Sequence, residues 1–342
     1  MKENPFVSVI IPCLNEEDYI GDCLDSIINN NYPLERLEIL VVDGLSGDNT
    51  RSIVREYAEK YLEIKLLDNP KKITPVAFNK GIQRSKGEVI ILVGAHAKYP
   101  KDYISMCVEH LRETGADNVG GVLEVETREG DLFGRALAAA LRSPFYAGNA
   151  KFRTGKLKQP QEVDTVFGGC YSREVFDEIG FFNEDLVHSQ DIEFNKRLKK
   201  NGGKILLCPD IKAKYFVRSS FISFIRWTIT NGVWAIYPLK FTDHIPVGLR
   251  HFVPLTFVFS LLVSFSLSLL STFFATMGMI ILTLYTVLNV IFSFKSALSK
   301  GSLKLLFWLP LIFLTFHLGY GIGSFWGLIK LTLPNKWASR RG

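Results

Sequence analysis

The chain has 342 residues, with 40 Lys and Arg against 34 Asp and Glu, a formal net charge of +6. That length holds one large or two ordinary domains, and the basic surplus is too mild and too dispersed to point to nucleic acid. The five cysteines are odd in number and fall at neither zinc nor redox spacing, which fits a reduced, cytosolic setting for the polar part of the chain.

Residues 1 to about 215 read as an α/β domain. Lys2 to Pro5 leads into no signal-peptide core, because the apolar run Val7–Pro12 is short and soon turns polar. Two runs, Val7–Pro12 and Glu38–Val42, end in Cys13-Leu14-Asn15-Glu16 and in Asp43-Gly44-Leu45-Ser46. Short apolar runs bounded by turn residues and followed by helix-like sequence predict parallel strands buried on both faces. Ligands of such sheets bind beyond the carboxyl ends of the strands, which places Asp43 where a base or ribose can be read. Further strands are expected at Ile64–Leu67 and Glu88–Leu92, the latter entering Val93-Gly94-Ala95-His96-Ala97. Helices are expected over Glu16–Asn30, Asn49–Tyr61, Thr74–Arg84 and Lys101–Thr114. The alternation predicts an open, mostly parallel sheet. No Gly-x-Gly-x-x-Gly follows the first strand, which argues against a nicotinamide oxidoreductase.

A different solvent is implied downstream. Ser219–Tyr237 mixes aromatics with Arg226 and Asn231, as an interfacial helix on a bilayer would, and a domain-core helix is the other reading; residues 216–250 form this interfacial region. From Phe252 to Phe294 there is no Asp, Glu, Lys, Arg or His, about 43 residues and so roughly two spans of ~20, with a turn near Ser271-Thr272. A third apolar stretch, Leu305–Ile329, carries Pro310, His317, Gly319, Gly321 and Gly323. The membrane region is thus 251–331, with helices near 253–271, 273–294 and 305–329, followed by a basic tail at 332–342. If the polar half is cytosolic, a third full crossing exports the Lys336, Arg340 and Arg341 tail against the positive-inside tendency. Either that crossing exists or the third segment is re-entrant or packed within protein.

The stretches VSVIIPCLNEEDYI, VVDGLSGDNT, FNKGIQRSKGEVIILVGAHAKYP, VFGGCYSREVFDEIGFFNE and SQDIEFNKRLKKNGGKI occur in an order that resembles a family 2 glycosyltransferase of the GT-A fold. More narrowly, the chain looks like the membrane-bound enzymes of bacterial exopolysaccharide assembly of the succinoglycan ExoA type. The resemblance covers residues 7 to about 206, and the apolar tail extends it. It implies donor-nucleotide contacts at Pro12, Asn15, Glu16 and Asp43, and at Ala95, His96 and Lys98. It implies that Asp191 is the base taking a proton from the acceptor hydroxyl, with Gln190 beside it and the Arg197, Leu198, Gly202 pattern following. A helix N-terminus favours a carboxylate anion, so Asp191 is expected to be ionised without an unusual pKa. Gly168-Gly169 is expected to line the acceptor cleft or to make a strand bend, and Asn79 and Gly81 to serve packing or the donor. Asp48 is expected to cap a helix.

Two departures stand out. Where the family places Asp-x-Asp or Asp-Ala-His, this chain has Gly94, Ala95 and His96, so the first carboxylate of the expected Mn²⁺ or Mg²⁺ site is missing. His96 can still ligate a cation alongside diphosphate oxygens; alternatively Lys98 offsets leaving-group charge, or the site is impaired. Thr230 replaces a common Arg, leaving Arg226 for phosphate or headgroup contact, or for snorkelling. The implied function is inverting transfer of a sugar from a nucleotide sugar, expected to be a UDP-sugar, to a lipid-linked oligosaccharide at the inner leaflet of the cytoplasmic membrane. A multi-pass anchor, a cytosolic catalytic half and other polysaccharide-assembly proteins as partners go with it. Transfer to polyprenyl phosphate and a catalytically silent nucleotide-sugar-binding scaffold are the competing readings.

Overall fold

The computed structural model describes residues 4–333 apart from 129, 149, 156, 218–219 and 243–246. Most of the expected basic tail, and Ser219, lie outside the described residues. The chain divides into two compact units, Met1–Glu126 with Ala150–Phe216, and Thr127–Asn149 with Val217–Gly342. A segment that the sequence placed within the first domain thus belongs to the second unit.

The first unit is built on β1 (Val7–Cys13), α1 (Ile20–Ile28), β2 (Leu37–Asp43), α2 (Thr50–Lys60), β3 (Ile64–Asp68), α3 (Thr74–Arg84) and β4 (Val89–Leu92). These four strands are parallel, in spatial order β3-β2-β1-β4. Every residue of β2 and β4 is buried, which is why Ile39–Val42 and Val89–Leu92 read as apolar runs. Pro75 sits in the first turn of α3, where its missing N–H costs nothing. Gly81 on α3 has no room for more: a Cβ there would lie 2.5 Å from Ile10 Cγ2. Both family-motif residues of α3 are thereby accounted for by packing, because Asn79 exchanges two 2.9 Å hydrogen bonds with the backbone of Phe182.

The sheet continues through β5 (Ala97–Lys98), α4 (Tyr103–Thr114) and β6 (Asn118–Thr127), then α5 (Leu132–Leu141) and α6 (Pro144–Ala147) of the second unit, and back through α7 (Lys151–Thr154), β7 (Gln161–Glu162), β8 (Phe167–Ser172), α8 (Arg173–Ile179), α9 (Gln190–Lys200) and β9 (Ile205–Val217). The complete order is β3-β2-β1-β4-β8-β6-β9-β5, with β7 on β9. β8 runs antiparallel to β4 and to β6, so the sheet is mixed beyond β4. The core under this half is aromatic: Phe194 of α9 stacks on Phe182 at 4.4 Å and on Phe176 at 5.3 Å.

The second unit adds α10 (Phe221–Ile236), α11 (Val253–Leu267), α12 (Thr272–Ser299) and α13 (Leu309–Thr332). Three helices, Leu249–Leu267, Thr272–Ser299 and Leu309–Thr332, are long and apolar enough to cross a membrane. The third differs from the others: 56% of its most apolar window is buried within protein, against 17% and 22%. Glycines explain this. A Cβ on Gly323 would lie 2.2 Å from Ile229 O, and one on Gly232 2.1 Å from Tyr320 O, so α10 and α13 touch backbone to backbone. Gly321, on another face of α13, meets Pro254 O of α11 as closely, at 2.4 Å. The third apolar segment is therefore packed in protein, and α10 has one face closed by it while Ile222, Arg226 and Trp227 remain exposed.

Candidate active site

Parallel pairing brings the carboxyl ends of β1, β2 and β4 together: Cys13 pairs with Asp43, and Ile10 with Leu92. The loops beyond β1 and β2 are then stitched by side chains. Asn15, with φ 55°, receives a 2.9 Å bond on Oδ1 from the Gly47 N–H, and its own N–H donates to Ser46 Oγ at 2.8 Å. The Glu16 N–H donates to Thr50 Oγ1 at 2.8 Å. Asp48 accepts from the N–H of Thr50 at 3.0 Å, at the first turn of α2, and from that of Glu17 at 3.2 Å. It is thus a helix-start residue that also ties the two loops.

Asp43 is fully buried. It accepts from the Ser46 N–H at 3.0 Å and from Ser46 Oγ at 2.5 Å, and pairs with Arg51 at 2.7 Å. Burial opposes its charge, but the Ser46 hydroxyl and the Arg51 guanidinium hold the carboxyl below its ordinary range. Arg51 also reaches Asp68, at the end of β3, at 2.8 Å. This Asp43–Arg51–Asp68 bridge was not legible in the sequence; a cation at the second residue of the helix after β2 was the available signal.

His96 stands between two groups. Its Nδ1 is 3.3 Å from Glu16 Oε1 and its Nε2 is 3.1 Å from the Tyr215 hydroxyl. Tyr19 and Tyr215 pack edge-on against the ring at 6.0 and 4.9 Å. Ala95 is buried, Pro12 is half-buried in β1, and Lys98 pairs with Asp22 of α1 at 3.1 Å. A Cβ on Gly94 would meet only Phe167 Cζ, at an ordinary 3.7 Å, so the missing carboxylate is not excluded by space. Two donors 3.3 Å apart match adjacent ligands on a cation with bonds of about 2.2 Å. Among the described residues, three ligand-type atoms converge instead at His110, Cys208 and Asp210, and Asp210 lies five residues along β9 from Tyr215, about 17 Å of strand.

The acceptor-side residues connect to this rim through Phe167, whose ring is 5.9 Å from that of Tyr215. Gly168 and Gly169 have φ 67° and 119°, and a Cβ on Gly168 would lie 2.4 Å from Leu92 O. The glycine pair therefore lets β8 bend where its pairing with β6 shifts register. Behind it, Asn195 of α9 is buried in a network: it accepts from Asn118 Nδ2 at 3.0 Å and from the Tyr171 hydroxyl at 3.2 Å, and donates to Thr165 Oγ1 at 3.0 Å. Asp191 lies one turn earlier on α9, after Gln190 and the left-handed Ser189. The pinning of Asn195 fixes this first turn, and Arg197 clamps the other end by donating to the carbonyls of Ile179 and Phe181.

Asp191 is half-buried. Burial pushes its pKa above the ordinary carboxylate value, against the lowering effect of the Ile192 and Asp191 N–H groups and of Arg153. The expectation of an aspartate without an unusual pKa is corrected on this point: desolvation outweighs the helix terminus. Arg226 lies on α10 of the second unit and forms no part of the geometry described for the first.

A parallel sheet whose strand ends gather acids and an imidazole, extended by antiparallel strands that carry a helix-borne aspartate, defines the GT-A class of fold. The Glycosyl transferase family 2 model matches residues 8–180, and the chain belongs to that family: it is a glycosyltransferase. It is 31% identical, over 95% of its length and 98% of the relative's, to a dolichyl N-acetyl-alpha-D-glucosaminyl phosphate 3-beta-D-2,3-diacetamido-2,3-dideoxy-beta-D-glucuronosyltransferase of Methanococcus voltae. It is also 31% identical to the succinoglycan biosynthesis protein ExoA of Rhizobium meliloti, over 63% of this chain and 64% of that one. Among solved structures it superimposes on a mannosyltransferase from Pyrobaculum calidifontis, in complex with GDP-Man and Mn²⁺, with TM-score 0.58 and 20% identity over 96% of this chain and 88% of that one; that likeness concerns the fold.

Proposed function

We propose that this chain is an inverting transferase that moves a sugar from a nucleoside-diphosphate sugar, with uridine as the expected base, to a hydroxyl of a lipid-linked saccharide. The observation that carries the acceptor class is the likeness to the Methanococcus transferase, whose name specifies a dolichyl-phosphate-linked sugar and which matches through the apolar helices as well as the sheet. Three apolar helices support a seat in the cytoplasmic membrane, with the first unit in the cytosol.

In this mechanism Asp191 takes the proton of the acceptor hydroxyl as that oxygen attacks the anomeric carbon, and the nucleoside diphosphate leaves from the opposite face. A raised pKa makes Asp191 a stronger base once deprotonated. The Asp43–Arg51 pair sits where the base or ribose is read, with Asn15 beside it and Pro12 shaping the strand end. Glu16 and His96 would hold a divalent cation, which supplies charge neutralisation on the diphosphate. Lys98 adds positive charge near the same strand end. Gly168, Gly169 and Gln190 border the acceptor side, and Arg226 is assigned to the acceptor's phosphate.

The test is turnover by the purified full chain in nanodiscs, offered UDP- and GDP-sugars with a lipid-linked saccharide, with and without Mn²⁺ or EDTA. Release of nucleoside diphosphate coupled to a glycosylated lipid is expected. Transfer to polyprenyl phosphate alone would replace the acceptor class, and absence of transfer with every donor, despite nucleotide binding, would favour the silent scaffold that Gly94 keeps open.

A further inference from the structure

Away from the strand ends that hold Asp43 and His96, the first unit gathers a second set of metal-ligating side chains between α4 and β9. Along β9 the odd-numbered Ile205 and Leu207 are buried in the aromatic core with Phe194, so the even-numbered side chains take the opposite face. There Cys208 is fully buried and forms no disulfide, and Asp210, two residues on, is exposed. The third group comes from α4: His110 Nε2 meets Asp210 Oδ2 at 2.7 Å. The ring nitrogen, the carboxylate oxygen and the Cys208 sulfur all lie within 4.8 Å of one another.

These spacings suit a tetrahedral cation. Bonds of about 2.0–2.3 Å place neighbouring ligand atoms roughly 3.3–3.8 Å apart. The pair at 2.7 Å and the upper limit of 4.8 Å bracket that range, and the exposed Asp210 carboxylate has room to adjust. The donors also choose the metal. Thiolate and imidazole suit Zn²⁺, whereas Mg²⁺ and Mn²⁺ prefer sites made of oxygen. When Zn²⁺ binds, the Cys208 thiol gives its proton to solvent, and one thiolate and one carboxylate cancel the charge of the ion. The half-buried position then carries no net charge. An ion pair across the surface would need only His110 and Asp210; it leaves the sulfur beside them unexplained. The exposed side of Asp210 is the way in.

We propose that His110, Cys208 and Asp210 bind Zn²⁺, with water as the fourth ligand, and that the ion pins α4 to β9. The site is separate from Glu16 and His96, because Asp210 and Tyr215, which bonds His96, are about 17 Å apart along β9, and it does not depend on the transferase reading.

The experiment uses the full chain without a histidine tag, in nanodiscs, stripped of metal by chelator and kept free of nucleotide. Zn²⁺ is titrated against a chromophoric chelator, and Co²⁺ is added separately as a spectroscopic probe. One Zn²⁺ per chain is expected, together with a thiolate-to-cobalt charge-transfer band that Zn²⁺ abolishes and excess Mg²⁺ does not. His110→Gln and Cys208→Ser should each weaken Zn²⁺ binding at least about tenfold, since losing even a ligand's hydrogen-bond partner costs that much. Cys208→Ser should also remove the band, and His96→Ala should keep it. Zn²⁺ should raise the melting temperature of the wild type by mass action and leave that of His110→Gln unmoved. Circular dichroism in chelator checks that each variant folds; should the buried Cys208→Ser fail, His110→Gln, at the rim, decides. No uptake of Zn²⁺, uptake without the thiolate band, binding that survives His110→Gln, or a band lost in His96→Ala overturns the assignment.

Discussion

Replacing Asp191 by Asn tests the chemistry and the electrostatics of the first unit together. The change keeps size and shape at the first turn of α9, whose position is fixed by the Asn195 network and the Arg197 clamp. It removes the one proton acceptor assigned to the acceptor hydroxyl. General-base catalysis contributes about 10²- to 10⁴-fold, or roughly 3 to 5 kcal/mol of barrier, so turnover should fall by at least that range while nucleotide affinity stays within a few-fold. Stability should move the other way. Burial raises the pKa of Asp191, so between its unfolded and folded values the native state binds more protons than the unfolded one, and stability is lost as pH rises through that window. Asn carries no such cost at neutral pH, and the variant should melt at or above the wild-type temperature. The wild-type rate should also lose its acid limb at a pH above the ordinary carboxylate range, as Asp191 becomes protonated. Nucleoside diphosphate release, calorimetric nucleotide titration and thermal melts on the same preparation measure all three. Near-normal transfer by Asp191→Asn would remove this residue as the base, and a clear loss of melting temperature would contradict the desolvation account.

Three more outcomes are expected. Arg51→Met leaves Asp43 buried without its cation and should cost about 3 kcal/mol near neutral pH; because the Asp43 pKa is held low, the deficit relative to wild type should shrink as pH falls through the carboxylate range, and a pH-independent deficit in melting would refute the ion-pair account. Gly94→Asp fits the space beside Phe167 and should tighten Mn²⁺ binding in the presence of nucleotide; unchanged affinity by titration would count against a cation next to Glu16 and His96. Gly323→Ala places a methyl 2.2 Å from Ile229 O and should force α10 and α13 apart at a cost of about 1–3 kcal/mol, visible as a lower melting temperature in detergent, with an unaltered melt as the refuting result.

The parallel half of the sheet was legible because β1, β2 and β4 are buried on both faces and so are mostly apolar, with Ser8 and Glu38 as the buried polar exceptions inside them. The first helix is shorter than its pattern, starting at Ile20 rather than Glu16, because Asn15, Glu16 and Glu17 are spent on bonds that involve side chains of the two loops. Pairings of that kind, like Asp43 with Arg51 or His96 with Tyr215 across 119 residues, leave no periodic mark. The same holds for α5 and α6. Their apolar spacing says that they are buried, but not in which core, and they fall in the second unit. Asp191 was singled out by the family resemblance of the SQDIEFNKRLKKNGGKI stretch, whereas its altered proton affinity depends on how the fold surrounds it.

The glycines of α13 have a consequence for how the protein is made. A helix notched on two faces and more than half enclosed by its neighbours presents little of its own surface to hydrocarbon, so it gains less from insertion than α12 does. Its entry into the bilayer should therefore depend on α10 and α11 already being in place to receive it. Synthesis delivers it after α10, α11 and α12, and the second unit can close only once α13 has emerged.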